Sequence, residues 1–80
     1  NIQNNIILYP NPTEGVLSLV NKSEIKISLE ITNNLGQIIY TLSADNNSNI
    51  NIDLSNLPSG IYNVNIYSKI LNFRKIIVKN

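Results

Sequence analysis

"IKISLEIT", Ile25 to Thr32, decides the fold. Ile25, Ile27, Leu29 and Ile31 share one phase of a two-residue period, and Lys26, Ser28, Glu30 and Thr32 take the other. Successive side chains of an extended strand point to opposite faces, so this pattern predicts a half-buried β-strand. The alternation returns in "NINIDL" (Asn49 to Leu54), with Ile50, Ile52 and Leu54 inward. It returns again in "IYNVNIY" (Ile61 to Tyr67), with Tyr62, Val64 and Ile66 inward. "IILY" (Ile6 to Tyr9), "GVLSLV" (Gly15 to Val20), "GQIIYTL" (Gly36 to Leu42) and "FRKIIVK" (Phe73 to Lys79) are shorter or less regular strand candidates. No window carries a helical period.

Turn signals separate these runs. "NNLG" (Asn33 to Gly36) suits a hairpin, since Asn and Gly tolerate positive φ. "SADNNSN" (Ser43 to Asn49) is a polar loop that reads as a solvated hairpin, "LPSG" (Leu57 to Gly60) a proline-initiated turn, and "SKILN" (Ser68 to Asn72) a turn without glycine. "YPNPTEG" (Tyr9 to Gly15) places two prolines around Asn11. Each lacks the N–H that a central ladder needs, so the stretch is a rigid corner that ends the first strand. Six or seven short strands with regularly spaced turns predict an all-β antiparallel sandwich.

Composition narrows the chemistry. The 80 residues make one small domain. With no cysteine and no histidine, disulfides, thiolate metal sites and the commonest general base are excluded. The net charge of +1, without a block of like charge, gives no footprint for nucleic acid or a polybasic membrane anchor. No apolar run approaches the roughly 20 residues of a membrane span. The chain starts at Asn1 without signal-peptide features and reads as a piece of a longer polypeptide.

Of the five carboxylates, Glu30 and Asp53 lie on outward strand positions and could face one another, but a solvated face lacks the cleft that a catalytic pair requires. Asp45, Asn47 and Asn49 imitate the start of a calcium loop; the pattern then fails at Ile50 and Asn56, where glycine and glutamate belong. No cofactor is expected. Tyr9, Tyr40, Tyr62, Tyr67 and Phe73 could form a sugar-stacking platform if exposed together, but Tyr40 and Tyr62 fall on inward phases and read as core. Asn21-Lys22-Ser23 fits an N-glycosylation sequon; Asn47-Ser48-Asn49 does not. Lys69, Arg74, Lys75 and Lys79 gather around the last strand, where lysines protect an edge or offer a basic strand to a partner.

Four stretches, taken in order, resemble one family: "LYPNPTEGVLSL" (Leu8 to Leu19), "ITNNLGQIIYTL" (Ile31 to Leu42), "IDLSNLPSGIYNVNI" (Ile52 to Ile66) and "RKIIVKN" (Arg74 to Asn80). Together they are similar to the type A C-terminal sorting domain of type IX (Por) secretion cargo. Pro10, Asn11, Pro12 and Gly15 match its first motif, Gly36 the middle turn, and Leu57, Pro58, Gly60 and Tyr62 the late motif. Lys75 and Lys79 match the closing one. Asn72 stands where the family often has glycine.

The resemblance implies an Ig-like sandwich of seven strands, a single C-terminal sorting domain spanning residues 1–80 and excised from a larger secreted precursor. It implies a secretion signal and no enzyme. Its partners would be the upstream cargo, the outer-membrane translocon and a sortase-like cysteine peptidase that removes the domain. The cargo would travel through the periplasm to the cell surface or medium of a Gram-negative, Bacteroidetes-type bacterium. Within the final hairpin, Gly60 to Asn80, the candidate translocon contacts are Arg74, Lys75, Ile77, Val78 and Lys79. Exposed strand edges also allow a weak homodimer. The rival reading is a fibronectin-like adhesion or carbohydrate-binding module.

Overall fold

The structure, a computed structural model, describes residues 2–80. A single 3-10 turn, η1 (Ile2–Asn5), leads into seven strands: β1 (Ile6–Tyr9), β2 (Val16–Asn21), β3 (Ile27–Asn33), β4 (Ile38–Ala44), β5 (Ser48–Asp53), β6 (Gly60–Tyr67) and β7 (Asn72–Lys79). They form a three-stranded sheet, β1-β2-β5, facing a four-stranded sheet, β4-β3-β6-β7. Every pairing of named strands is antiparallel.

The opening octapeptide becomes the centre of the larger sheet. Ile27, Leu29 and Ile31 are buried on β3, alongside Tyr62, Val64 and Ile66 of β6 and Ile77 of β7. Ile6 and Leu8 of β1, Leu17 and Leu19 of β2, and Ile52 of β5 pack against them from the other sheet. Each fully buried aliphatic contributes about 1.5–3 kcal/mol, and ordering the chain offsets most of that sum. Without a disulfide, this apolar layer is what holds the domain together.

The sandwich has two distinct poles. At one pole lie η1, the β2–β3 and β4–β5 connections and the β6–β7 turn, and buried Asn21 ties the two connections together. Its Nδ2 donates to the carbonyls of Ile25 (2.9 Å) and Asp45 (3.0 Å), and more weakly to Ala44 (3.4 Å). Its Oδ1 accepts from the Ser23 N–H (3.0 Å) and hydroxyl (2.6 Å). At the other pole lie the Pro10–Gly15 corner, the β3–β4 and β5–β6 turns and the end of β7.

Several expectations change. The 45–47 loop is no hairpin: β4 and β5 belong to different sheets, so it is a crossover, with Asn47 at φ 53°. Tyr40 opposes Ile31 on the inward phase, yet is 38% exposed, because β4 is an edge strand with nothing beyond it. Its hydroxyl reaches across to the Asp53 carbonyl (2.9 Å) and closes the gap between the two sheets. Asn72 pairs with Tyr67 inside β7 and needs no positive φ. Asn21 has no exposed surface, so the sequon is structural in the folded domain.

Candidate functional site

The separated motifs meet on β7. It is an edge strand, paired with β6 on one side, and the Pro10–Gly15 corner covers part of its free side. Thr13 donates its N–H to the Val78 carbonyl (2.9 Å) and accepts from the Asn80 N–H (2.9 Å). This is a parallel bridge opposite Lys79. Two residues earlier the same pattern is made by a side chain. Asn11 Nδ2 donates to the Ile76 carbonyl (2.9 Å), and Asn11 Oδ1 accepts from the Val78 N–H (3.0 Å).

That pair of contacts explains why Asn stands between two prolines. Pro12 has no N–H, and a corner cannot keep its peptide planes aligned with a neighbouring strand. The Asn11 carboxamide carries one donor and one acceptor at the spacing of a peptide group, and it supplies what the backbone there does not. Aspartate would lack the donor. Both Tyr9–Pro10 and Asn11–Pro12 are cis.

Thr13 is fully buried and locks the corner from within. Its hydroxyl donates to the Val16 carbonyl (2.6 Å) and accepts from the Gly15 N–H (3.1 Å). Gly15 then passes close to the β5–β6 turn: its carbonyl accepts from the Leu54 N–H (2.7 Å), and an added Cβ would stand 3.3 Å from that of Ser55. At Gly60 the backbone turns into β6 with φ 150°, a conformation that L side chains rarely adopt.

The late motif holds β7 from the opposite side. Two consecutive carbonyls, of Leu57 and Pro58, would end unpaired at the turn. Lys79 Nζ donates to the first (2.8 Å) and the Tyr62 hydroxyl to the second (2.6 Å). Lys79 is only 9% exposed, so its ammonium is an internal cap. Gly36 serves a separate purpose, closing the β3–β4 hairpin at φ 84° while Asn33 Oδ1 accepts from the N–H groups of Leu35 and Gln37. A cleft of about 190 Å³ lies between this hairpin and the Leu57–Tyr62 turn.

The strand period divides the candidate contacts of β7. Phe73, Lys75, Ile77 and Lys79 lie on the inner phase: Ile77 is core, Lys79 is the cap, and Lys75 opposes buried Val64 at the rim. Ile77 and Lys79 are therefore withheld from any partner of the folded domain. Arg74 and Val78 point outward, as does Ile76, which sequence reasoning passed over. With Ile61, the cross-strand partner of Val78, they form an exposed strip. A strict two-residue period from Phe73 assigns these phases, and it puts Lys75 and Lys79 on the inner one. Thr13, also overlooked, and Asn21, read only as part of a sequon, are polar residues whose burial depends in part on contacts far along the chain.

The other candidate sites do not assemble. Glu30 sits between Thr41 and Asn65 in the larger sheet, and Asp53 ends β5 in the smaller one. Tyr62 is buried, while Tyr9, Tyr40 and Tyr67 are exposed on β1, β4 and β6, so no aromatic platform forms among the described residues. The Asp45 carbonyl is already engaged by Asn21 and Ser48.

Asp53 titrates below the ordinary aspartate range. The Ser55 hydroxyl is the larger cause and the Ser55 N–H (2.9 Å) the second; both hydrogen-bond the charged carboxylate. A lowered folded-state value adds stability above the unfolded-state pKa and loses it as pH falls through the folded one. Ser55→Ala should return the Asp53 midpoint part of the way toward 3.8, read by NMR titration, with little change in stability because the group is fully exposed.

An Ig-like sandwich whose first, late and closing motifs secure its final strand is the class that fold and geometry define. The sequence matches the family described as secretion system C-terminal sorting domain over residues 7–79, and the chain belongs to that family, the sorting domains of type IX secretion. In fold it is similar to a solved DUF3244 family protein with an immunoglobulin-like β-sandwich from Bacteroides vulgatus ATCC 8482. The TM-score is 0.81 at 20% identity, over 100% of this chain and 90% of that one. Comparison with curated proteins finds no match. The domain is thus a sorting signal that commits a cargo protein to type IX export, to the cell surface or beyond.

Proposed function

We propose that the domain is a non-catalytic address read in its folded form, and that the outward face of the β6–β7 hairpin is the part that is read. The observation that carries this reading is the convergence of the Pro10–Gly15 corner, the Leu57–Tyr62 turn and Lys79 on one strand. Together they hold β7 in one register, which fixes Arg74, Ile76 and Val78 as a row beside Ile61. Arg74 supplies charge, the aliphatics supply area, and Lys75 borders the row. A sortase-like cysteine peptidase removes the domain on its upstream side once the cargo has crossed. The absence of histidine and cysteine and the scattering of the five carboxylates support a role without chemistry of its own.

Fusing residues 1–80 to a periplasmic reporter in a type IX-competent strain tests this directly. The wild-type fusion should reach the medium or surface, shortened by about the domain's 9.0 kDa. Arg74→Glu with Ile76→Ser should reduce export at least roughly tenfold while leaving the purified domain folded, since both side chains are exposed. Ile7→Ser with Val16→Ser, on the smaller sheet, is the matched control. Equal export of both pairs would sink the assignment of this face.

A further inference from the structure

We propose that the Asn11 side chain is a displaceable latch on the edge of β7, and that an extended segment of the export machinery takes its place, adding to β7 as a fifth strand of the larger sheet that runs up to the Thr13 bridge. This rests on the sorting role proposed above and concerns how the strand is read: through its backbone as well as its side chains.

The geometry defines the ligand. Ile76, Val78 and Asn80 direct backbone groups away from β6, and the corner meets four of them: Asn11 the Ile76 carbonyl and the Val78 N–H, and buried Thr13 the Val78 carbonyl and the Asn80 N–H. These are the contacts an added strand makes, and half of them are made here by a side chain. By the same alternation, Arg74 and Asn72 turn their N–H and C=O groups outward, where β7 has no neighbouring strand. The edge is therefore closed at its end and open at its beginning. An incoming segment can pair at Asn72 and Arg74 first and then replace the Asn11 carboxamide by backbone groups. It gains a continuous ladder in exchange for two exposed side-chain hydrogen bonds.

The corner also shields the end of an edge strand of eight residues, the kind of edge that otherwise offers itself to other chains. The opposite edge of the same sheet is protected differently, by a register shift between Ile31 and Thr32 where β3 meets β4. The Asn11 carboxamide is the cover that can be withdrawn without breaking a strand of either sheet.

Proline separates backbone reading from side-chain reading. Arg74→Pro removes an outward N–H but no bond to β6, whereas Arg74→Ala removes only the side chain. In the reporter fusion, strand addition predicts export at least tenfold lower for Arg74→Pro than for Arg74→Ala; equal export overturns it. Hydrogen exchange at the Ile77 amide, inside the β6–β7 ladder, confirms that β7 stays paired. Asn72→Pro, at the strand's first residue, replaces Arg74→Pro if that protection is lost. Asn11→Ala should speed exchange at the Val78 amide tenfold or more and leave export at or above the wild-type level. Loss of export by a folded Asn11→Ala domain would overturn the latch and make Asn11 part of the recognised surface. A wild-type fusion that is not exported defeats the sorting role itself, which separates that failure from failure of strand addition.

Discussion

Asn21→Ala should lower the unfolding free energy by about 3–5 kcal/mol, a large fraction of the roughly 4–12 kcal/mol that a domain of this size ordinarily holds. The carboxamide is fully buried and serves five partner atoms from the β2–β3 and β4–β5 connections. Its removal takes the acceptor from the Ser23 N–H and leaves the carbonyls of Ile25 and Asp45 to the hydroxyls of Ser23 and Ser48 alone. Each buried polar group left unpaired costs about 1–3 kcal/mol, and members of one network fall together. At roughly 4–8 °C per kcal/mol for a small domain, the melting temperature should drop by about 15 °C or more. Thermal unfolding followed by far-UV circular dichroism measures it. A loss under about 1 kcal/mol would mean that water takes over the network, and that Asn21 does not hold the pole together.

Lys79→Glu should destabilise the domain by about 3 kcal/mol at neutral pH and abolish export. The substitution puts an acceptor where Leu57 already presents one, 2.8 Å from the present ammonium, in a position only 9% exposed. A carboxylate there is buried, unpaired and facing a carbonyl oxygen, the costliest of the simple electrostatic errors. Burial and the missing donor raise the new carboxyl's pKa above its unfolded value. A raised value means the lost stability returns as pH falls below the unfolded pKa and disappears as pH rises through the folded one. Denaturant unfolding at pH 4 and pH 7 should therefore show the variant closer to wild type at the lower pH. A pH-independent difference would show that Lys79 contributes through its methylene stem, packed along the turn, and not through its charge.

How far the sequence could carry these conclusions depended on range. "IKISLEIT" read correctly because alternation is local: each strand announces its own buried face, and the turn residues between strands announce its ends. Ile27, Leu29, Ile31, Tyr62, Val64 and Ile66 were assigned inward by period alone and are all buried. What periodicity cannot show is which strand has a neighbour. Tyr40 occupies an inward phase and is still exposed, because exposure there is set by the position of β4 at the edge of the sheet. The same limit hid the function of the motifs. Asn11 and Val78 lie 67 residues apart, and Lys79 and Leu57 22 apart, and nothing local to either member suggests its partner. Asn21 is the sharpest case. As a tripeptide it is a modification signal; in the fold, its carboxamide ties the end of β2 to the beginning of β3 and the end of β4.

The two poles have a mechanical consequence. Ile2–Asn5 lies at the Asn21 pole, and the Pro10–Gly15 corner, the Leu57–Tyr62 turn and the end of β7 lie at the other, along a body 33 Å in its longest dimension. Any passenger joined ahead of Ile2 is thus tethered at the opposite end of the body from the corner that holds β7. A towed load of any size or shape leaves that corner equally free, so one small sandwich can serve as a coupling for passengers that have nothing else in common.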